Sequence, residues 1–245
     1  MKISIITANY NGSRTLVRTI ESILNQNYKN VEYIIIDGKS TDNSIEIIKS
    51  YEEKFKQKNY DYKWISEKDS GIFNAMNKGI KLSTGDIIGI IGSDDWLEDG
   101  TFDLVAKEFK KDKNLQMVYG ILRTIKNGKY EKIIGDYHSF GKGQHPTVFL
   151  KKEVYEKYGY FNEKYRIAAD SDLLLRLKNK KIKYKFIEKI LTNFSLEGVS
   201  NTAFLKMCLE DLEVCYKNGI YNKKEKIIRI IYIYLKYFVK KLLKK

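Results

Sequence analysis

Apolar residues along the first hundred positions alternate between two rhythms. The runs "KISIITANY" (2–10), "VEYIIID" (31–37) and "DIIGIIG" (86–92) are short, nearly continuous and rich in Ile. Runs of that length and composition predict strands buried on both faces. Between the first two, Leu16, Ile20, Ile23 and Leu24 recur at helical spacing, which predicts a helix over Ser13 to Gln26. A second helix, capped by Asp42, is expected to run to about Phe55. "YDYKWIS" reads as the third strand and Ile72 to Ile80 as a helix ending near Gly85. The fourth strand runs into the acidic turn "SDDWLED" and a helix from Thr101 to about Lys110. Strands alternating with helices predict an α/β fold with a mainly parallel central sheet flanked by helices.

The rhythm then changes. "LQMVYGIL" and "KYEKIIGDY" read as two strands joined at "KNGK", where Asn-Gly supplies the hairpin turn. A polar loop, "HSFGKGQHP", leads to "TVFLKKEVYEKYG", the helix "DSDLLLRLKNK", the strand "KIKYKFI", and helices from about Thr202. No internal repeat and no linker rich in Gly, Ser or Pro divides the chain. Residues 1–200 therefore read as one domain made of two halves, 1–100 and 101–200, followed by C-terminal helices over 201–245.

At 245 residues, with 43% hydrophobic and 13% aromatic residues, the chain is globular and large enough for a sizeable core. Its net charge of +14 is local: residues 217–245 carry ten Lys and Arg against one Glu, leaving +5 for the rest. Nucleic-acid binding along the body is thereby disfavoured. In the tail, Ile227, Ile231, Leu235, Phe238 and Leu242 form one stripe, with Lys226, Arg229, Lys236, Lys240 and Lys244 opposite. Arg229 and Lys236 leave the apolar run too short and too charged to span a bilayer. An apolar stripe opposed by basic residues suits the surface of an anionic membrane, with docking on the chain's own domain as the alternative. Cys208 and Cys215 lie seven apart in a helical pattern, about 10 Å along the axis, too far to bridge. Lys2 is followed by only a short apolar run, unlike a signal peptide. Both features suit a reducing, cytosolic setting.

The candidate chemistry lies where strands end. "GKST" (38–41) has the tail of a phosphate-binding loop, but the required Gly five residues earlier is Tyr33, inside a strand. Lys39 is read instead as an exposed turn residue. The first strand ends in "ANYN", the second in Asp37 and the fourth in "GSDDW". Open α/β sheets bind ligands at those ends. An aromatic ring with a carboxylate suits a nucleobase, and paired acids in a turn suit a hard divalent cation that also binds phosphate oxygens.

With these motifs on the page, the sequence resembles the family 2 glycosyltransferases of the GT-A fold. "SIITANYN", "YIIIDGKSTDNS", "SEKDSGIFNAMNKGIKLSTGDIIGIIGSDD" and "HPTVFLKKEVYEKYGYFNEKYRIAADSDLLLRL" follow the family's order and spacing over about residues 1–178. The resemblance implies a nucleotide-sugar half over 1–100 and an acceptor half over 101–200. It places Ala8, Tyr10, Asp37, Lys68, Asn77, Ser93 and Asp94 on the donor, Tyr10 against base or ribose and Asp37 on the base edge. It implies that Asp94 and Asp95 hold Mn²⁺ or Mg²⁺ and that Asp170 is the general base. His145, Asp172 and Arg176 fall on the acceptor side. The implied activity is inverting transfer of a sugar from a nucleotide-diphosphate donor, UDP by family habit, to a glycan or lipid-linked acceptor. A cytosolic enzyme lying on the inner membrane fits bacterial surface-polysaccharide assembly.

Four positions depart from the family pattern. Ala8 replaces a Pro, Gly38 a second Asp, Gly92 the first Asp of "DxDD", and Ala169 the Glu of the usual "ED" pair. Two other readings stay open at this level. A sugar-phosphate nucleotidyltransferase would need a Gly-rich basic loop after the first strand, where "NYNGSRT" offers only Gly12 and Arg14. A non-catalytic nucleotide-sugar-binding or membrane-associated protein is favoured only by Gly92 and Ala169.

Overall fold

The computed structural model describes residues 1–135, 145–197 and 204–242. Strands β1 (Ile3–Asn9), β2 (Val31–Asp37), β3 (Asp61–Ser66) and β4 (Ile87–Gly92) alternate with helices α1 (Leu16–Leu24), α2 (Ser44–Ser50), α3 (Glu52–Gln57) and α4 (Ile72–Leu82). There follow β5 (Trp96–Leu97), α5 (Thr101–Lys111), β6 (Met117–Lys126), β7 (Lys129–Ile134), β8 (Phe149–Lys151) and α6 (Lys152–Tyr158). The chain continues through α7 (Ala169–Asn179), β9 (Tyr184–Ser195), α8 (Phe204–Lys217) and α9 (Lys223–Leu242). The strands form one sheet in the order β3-β2-β1-β4-β8-β6-β9-β5, with β7 paired to β6. β1 to β4 are parallel, β8 runs antiparallel to its neighbours β4 and β6, and β9 is parallel to β6. The expected α/β architecture with a mainly parallel sheet is what the chain adopts.

The two faces of the sheet are legible residue by residue. Ile6, Ala8, Ile34, Ile36, Ile88 and Ile90 point into a core shared with Phe73 and Met76 of α4, Val154 of α6 and Leu173 and Leu174 of α7. Their chain neighbours Ile3, Ile5, Tyr33, Ile35, Ile87 and Ile91 point into a second core with Leu16 and Ile20 of α1, Phe55 of α3 and Phe102 and Phe109 of α5. The period-two alternation of a strand thus serves two hydrophobic layers at once, which is why these strands lack a polar face.

Three local features differ from the sequence expectation. The helix expected through Phe55 breaks at Tyr51, whose buried ring sends its hydroxyl to Glu21 Oε1 at 2.9 Å. Reaching α1 in this way turns the chain between α2 and α3. β9 runs to Ser195, well beyond "KIKYKFI", and follows β6 through two register shifts. β5 was not expected; it pairs with the far end of β9 and brings that end beside the acidic turn. The hairpin at Asn127-Gly128 forms as read, both residues having positive φ of 49° and 71°.

Candidate functional site

The strand register sets the crevice. Asn9 lies opposite Asp37, Asp37 opposite Ser66, and Ala8 opposite Gly92, so the four parallel strands end side by side. The strand order changes direction between β1 and β4, and the loops leaving them part there. Open α/β sheets bind ligands at such a point.

Asp37 forms the floor of this crevice. It is fully buried and accepts hydrogen bonds from Asn9 Nδ2 (2.7 Å), Ser40 Oγ (2.5 Å), Ser40 N (2.9 Å) and Ser66 Oγ (2.7 Å). These four donors engage both oxygens, so the carboxylate braces the loop after β2 at the strand end where the sequence reading put it. Lys39, exposed as expected, takes a positive φ of 63°, the conformation a turn Gly adopts readily.

Tyr10 stands above the floor, 66% exposed. Its Cδ2 lies 3.3 Å from the point where a Cβ on Gly38 would stand, and Asp69 Oδ2 lies 2.7 Å from the same point. An aromatic ring and a carboxylate therefore meet over Gly38, and any side chain there would displace the carboxylate. The space over Gly38 is taken by Asp69, which arrives from the loop after β3. Sequence reasoning passed over Asp69 and named its neighbour Lys68, whose side chain is exposed. Ala8 lies at the strand end beneath, packed in the core.

The acidic turn is built against α1. Ser93 O accepts from Thr15 Oγ1 (2.8 Å) and Thr19 Oγ1 (2.9 Å), and Asp94 O from Arg18 Nη2 (2.9 Å). The Arg18 guanidinium also lies 3.6 Å over the Trp96 ring, which fixes it beside the two carboxylates. Asp94 Oδ1 and Asp95 Oδ2 stand 2.8 and 3.0 Å from the point where a Cβ on Gly92 would project. Gly92 is thus the close-approach position that lets both acids converge. Asp95 is buried and accepts from Ser195 N (3.0 Å) and Gly92 N (3.3 Å), joining the turn to the end of β9. Burial, and then the neighbouring Asp94, raise the proton affinity of Asp95; burial and Glu197 raise that of Asp94 against the pull of Arg18. Among the described residues no group of three or more His, Cys, Asp or Glu side chains could hold a metal by itself. The Asp94–Asp95 pair still fits a divalent cation completed by ligand oxygens, because two converging carboxylates in a partly buried turn lack enough compensating positive charge.

The expected acceptor side is organised around α7. Asp170 stands in the first turn of α7, half-buried, with Oδ1 accepting from Ser171 N at 2.8 Å. Burial, with a smaller contribution from Asp211 on α8, raises its pKa to about 6. Asp172 is buried and pairs with Arg176 Nε at 2.9 Å, while Arg176 Nη1 and Nη2 donate to Tyr158 O and Tyr160 O, each at 2.7 Å. The two hold the α6–α7 loop in place. His145 does not lie on an open loop: it is buried with its ring edge-on to Phe161 at 5.2 Å, and burial lowers its pKa to about 4. Asn77 is likewise taken up internally. Its Oδ1 accepts from Phe161 N (3.0 Å), and Nδ2 donates to Phe161 O (3.0 Å) and Glu163 Oε1 (2.8 Å). With every amide atom engaged, Asn77 ties α4 to the loop that precedes α7.

The sequence profile of the family described as Glycosyl transferase family 2 matches residues 4–171. The chain belongs to glycosyl transferase family 2. Hyaluronan synthase of Pasteurella multocida is 31% identical over 217 residues, covering 85% of this chain and 22% of that protein. This family 2 chain accordingly spans between about a fifth and a third of the first curated relatives it matches. Among solved structures, S. aureus TarS 1-349 in complex with UDP-GlcNAc superposes with a TM-score of 0.70 at 17% identity, over 98% of this chain and 73% of that one. Mannosyltransferase PcManGT from Pyrobaculum calidifontis, in complex with GDP-Man and Mn2+, gives 0.71 at 16% identity, over 91% and 65%. At such identities these likenesses establish the fold, which is GT-A. The family match ends at residue 171, so most of α7, and all of β9, α8 and α9, lie outside it.

Proposed function

We propose that this family 2 protein transfers a sugar from a nucleotide-diphosphate donor, a UDP-sugar in the first instance, to a hydroxyl of a glycan or lipid-linked acceptor, inverting the anomeric centre. The observation that carries the reading is the pairing of two unlike carboxylate sites. One lies at the strand ends, where Tyr10 and Asp69 offer a stacking face with an acceptor edge, and Asp94 and Asp95 converge over Gly92. The other is Asp170, half-buried at the start of α7.

In this reading the base of the donor stacks on Tyr10 with a polar edge toward Asp69. Asp94, with Asp95 behind it, would hold Mn²⁺ or Mg²⁺, which when bound supplies positive charge to the diphosphate leaving group. Asp170 accepts the proton of the acceptor hydroxyl as the new C–O bond forms at the anomeric carbon and the bond to the diphosphate oxygen breaks. A pKa of about 6 suits that task, since the group is mostly ionised at neutral pH yet binds a proton more firmly than an ordinary Asp. A donor with UDP is supported by the likeness to TarS, described with UDP-GlcNAc, and a cation by the mannosyltransferase described with Mn2+. A polysaccharide product is supported by the similarity to a hyaluronan synthase.

The lipid-linked acceptor and a place on the inner face of an anionic membrane rest on α9. No helix among the described residues is long and apolar enough to cross a membrane. Ile227, Ile228, Ile231, Tyr232, Leu235, Phe238 and Val239 are each more than half exposed on α9. Its other side faces α8, where Lys226 bonds to Glu213, while Arg229 stacks 3.9 Å over Tyr221. Two of the basic residues placed opposite the stripe are therefore engaged within the C-terminal helices, while the apolar face is exposed. An amphipathic helix in a strongly basic segment suits an anionic lipid surface.

Thermal shift with UDP, GDP, CMP and dTDP, each with and without Mn²⁺, tests the donor reading. A diphosphate at a hundred times its Kd adds about 2.7 kcal/mol, or about 5 °C for a chain of this size. A response to nucleoside triphosphates alone would overturn it in favour of nucleotidyl transfer.

A further inference from the structure

Asp170 sits two residues after the N-cap of α7, yet that N-cap is Ala168, which has no side chain to cap the helix. Ala168 and Ala169 are both buried, so water does not readily serve the backbone N–H groups entering the helix. The two N–H groups just ahead of the first helical residue are served from another element. Glu210 on α8 accepts from Ile167 N at 2.7 Å and from Ala168 N at 3.2 Å through a single carboxylate oxygen. Its charge also lies at the positive end of the α7 dipole. The same loop is tied from its other side by Arg166 Nη1 donating to Ser70 O and by Glu163 accepting from Asn74 Nδ2 at 2.9 Å.

We propose that Glu210 is the positioning residue of the acceptor-side carboxylate: by capping the start of α7 from α8 it fixes where Asp170 stands. The inference rests on Asp170 acting as the base. It goes beyond the family match, which stops before α8. The clasp spans 43 positions between Ile167 and Glu210, so α8 is part of the acceptor site and not only a packing element. Asp211, the next residue on that helix, adds negative charge near Asp170, which is consistent with α8 bordering the site.

The experiment compares Glu210→Ala, Glu210→Gln and Glu210→Asp in the full chain, with Glu213→Ala as the control. Glu213 lies one turn further along α8 and pairs with Lys217 and Lys226. The probe is whichever member of a UDP- and GDP-sugar panel the wild type hydrolyses fastest, with water as acceptor. Glu210→Ala is expected to lower kcat by about 10²-fold, the usual cost of a misplaced catalytic group, with donor Kd unchanged. Glu210→Gln keeps an oxygen in place and is expected to stay within about threefold, whereas Glu210→Asp, one methylene short, should lose about tenfold. Amide hydrogen exchange at Ile167 and Ala168 should quicken by about 10- to 100-fold in Glu210→Ala and not in Glu213→Ala. That readout needs no turnover, and Glu210→Asp supplies it should the Ala variant not fold. Unchanged exchange at both amides, an unchanged kcat in Glu210→Ala, or equal rate losses in Glu210→Ala and Glu213→Ala would overturn the inference. Asp170→Asn run alongside separates the two failures: if it retains full turnover, the base assignment itself is wrong.

Discussion

Replacing Asp170 by Asn should make the protein more stable and almost inactive, a combination that few structural substitutions produce. The pKa of Asp170 is raised from 3.8 to about 6, chiefly by burial. A difference of about 2 in pKa corresponds to about 3 kcal/mol between the two protonation states. The group is only half-buried, so solvent screening reduces the expected effect to about 1–2 kcal/mol. The folded-state pKa lies above the unfolded one, so this stability is present below about pH 4 and is lost as the pH rises through about 6. At pH 7.5 the charged form is the destabilised one, and the neutral Asn relieves it. With an unfolding entropy of about 0.5 kcal/mol/K for a chain of this length, Tm should rise by about 2–4 °C. At pH 4 the gain should vanish. Transfer at pH 7.5 should fall by about 10²–10⁴-fold, the contribution of a positioned general base, with donor affinity nearly unchanged. Calorimetry at both pH values, combined with nucleoside-diphosphate release, reads all of these quantities. A variant that loses stability at pH 7.5, or that keeps its rate, would refute the reasoning. Asp172→Asn is the internal contrast. It breaks the ion pair with Arg176 and the anchorage of the α6–α7 loop, so it should lower Tm without a comparable loss of rate in the protein that remains folded.

In the acidic turn, Asp94→Asn is expected to weaken diphosphate binding with Mn²⁺ by tenfold or more and to change it little without metal; equal losses with and without metal would mean that Asp94 acts directly. At the opposite end of the sheet, Glu32 is fully buried among Lys63, Ser4 and Thr84, and its pKa is lowered to about 2 by Lys63 first and then by those hydroxyl and backbone donors, against the opposing effect of burial. Its folded pKa lies below the unfolded one, so the stability it gives is present above about pH 4.5 and is lost toward pH 2; Glu32→Gln should flatten acid unfolding over that window in a pH titration followed by circular dichroism, and an unchanged profile would contradict the assignment. Deleting 223–245 should abolish sedimentation with anionic vesicles while leaving nucleotide binding intact, and wild-type binding should weaken with salt, since each basic residue near the surface contributes about 1 kcal/mol of electrostatic attraction; a truncated chain that still sediments would contradict the membrane reading.

What the sequence made legible follows from the range of the interactions involved. Period-two and 3.6-residue patterns report which side of an element is apolar, so the alternation of Ile34 and Ile36 against Tyr33 and Ile35 was readable, and with it the parallel sheet and the strand ends that carry Tyr10 and the "SDD" turn. The partners of those residues were not readable, because they lie far off in the chain. Asp37 looked like a free carboxylate until Asn9 and Ser66 were seen to bond it from the two flanking strands. Asp69 escaped notice because its place over Gly38 is set by the loop after β3 and not by any local pattern. Asp95 looked equivalent to Asp94, yet a backbone N–H a hundred residues away makes it the more structural of the two. Asn77 and His145 were assigned by motif, but packing on Phe161 turns both inward. The tail was legible as amphipathic, while the wheel could not tell which of its cations α8 and the turn before α9 would take. The stretch around 136–144, which contains most of the polar loop before His145, lies outside the described residues.

The central claim is a displacement in which Asp170 deprotonates the acceptor while the nucleoside diphosphate leaves from the opposite side. Proton NMR of the sugar first released from the nucleotide-sugar that the wild type turns over fastest reads it directly, provided the spectrum is taken before the product mutarotates. The account expects the anomeric configuration opposite to that of the donor, with the signal lost in Asp170→Asn. A product that retains the donor's configuration would contradict the single displacement, and a panel of nucleotide-sugars left wholly intact would contradict transfer itself.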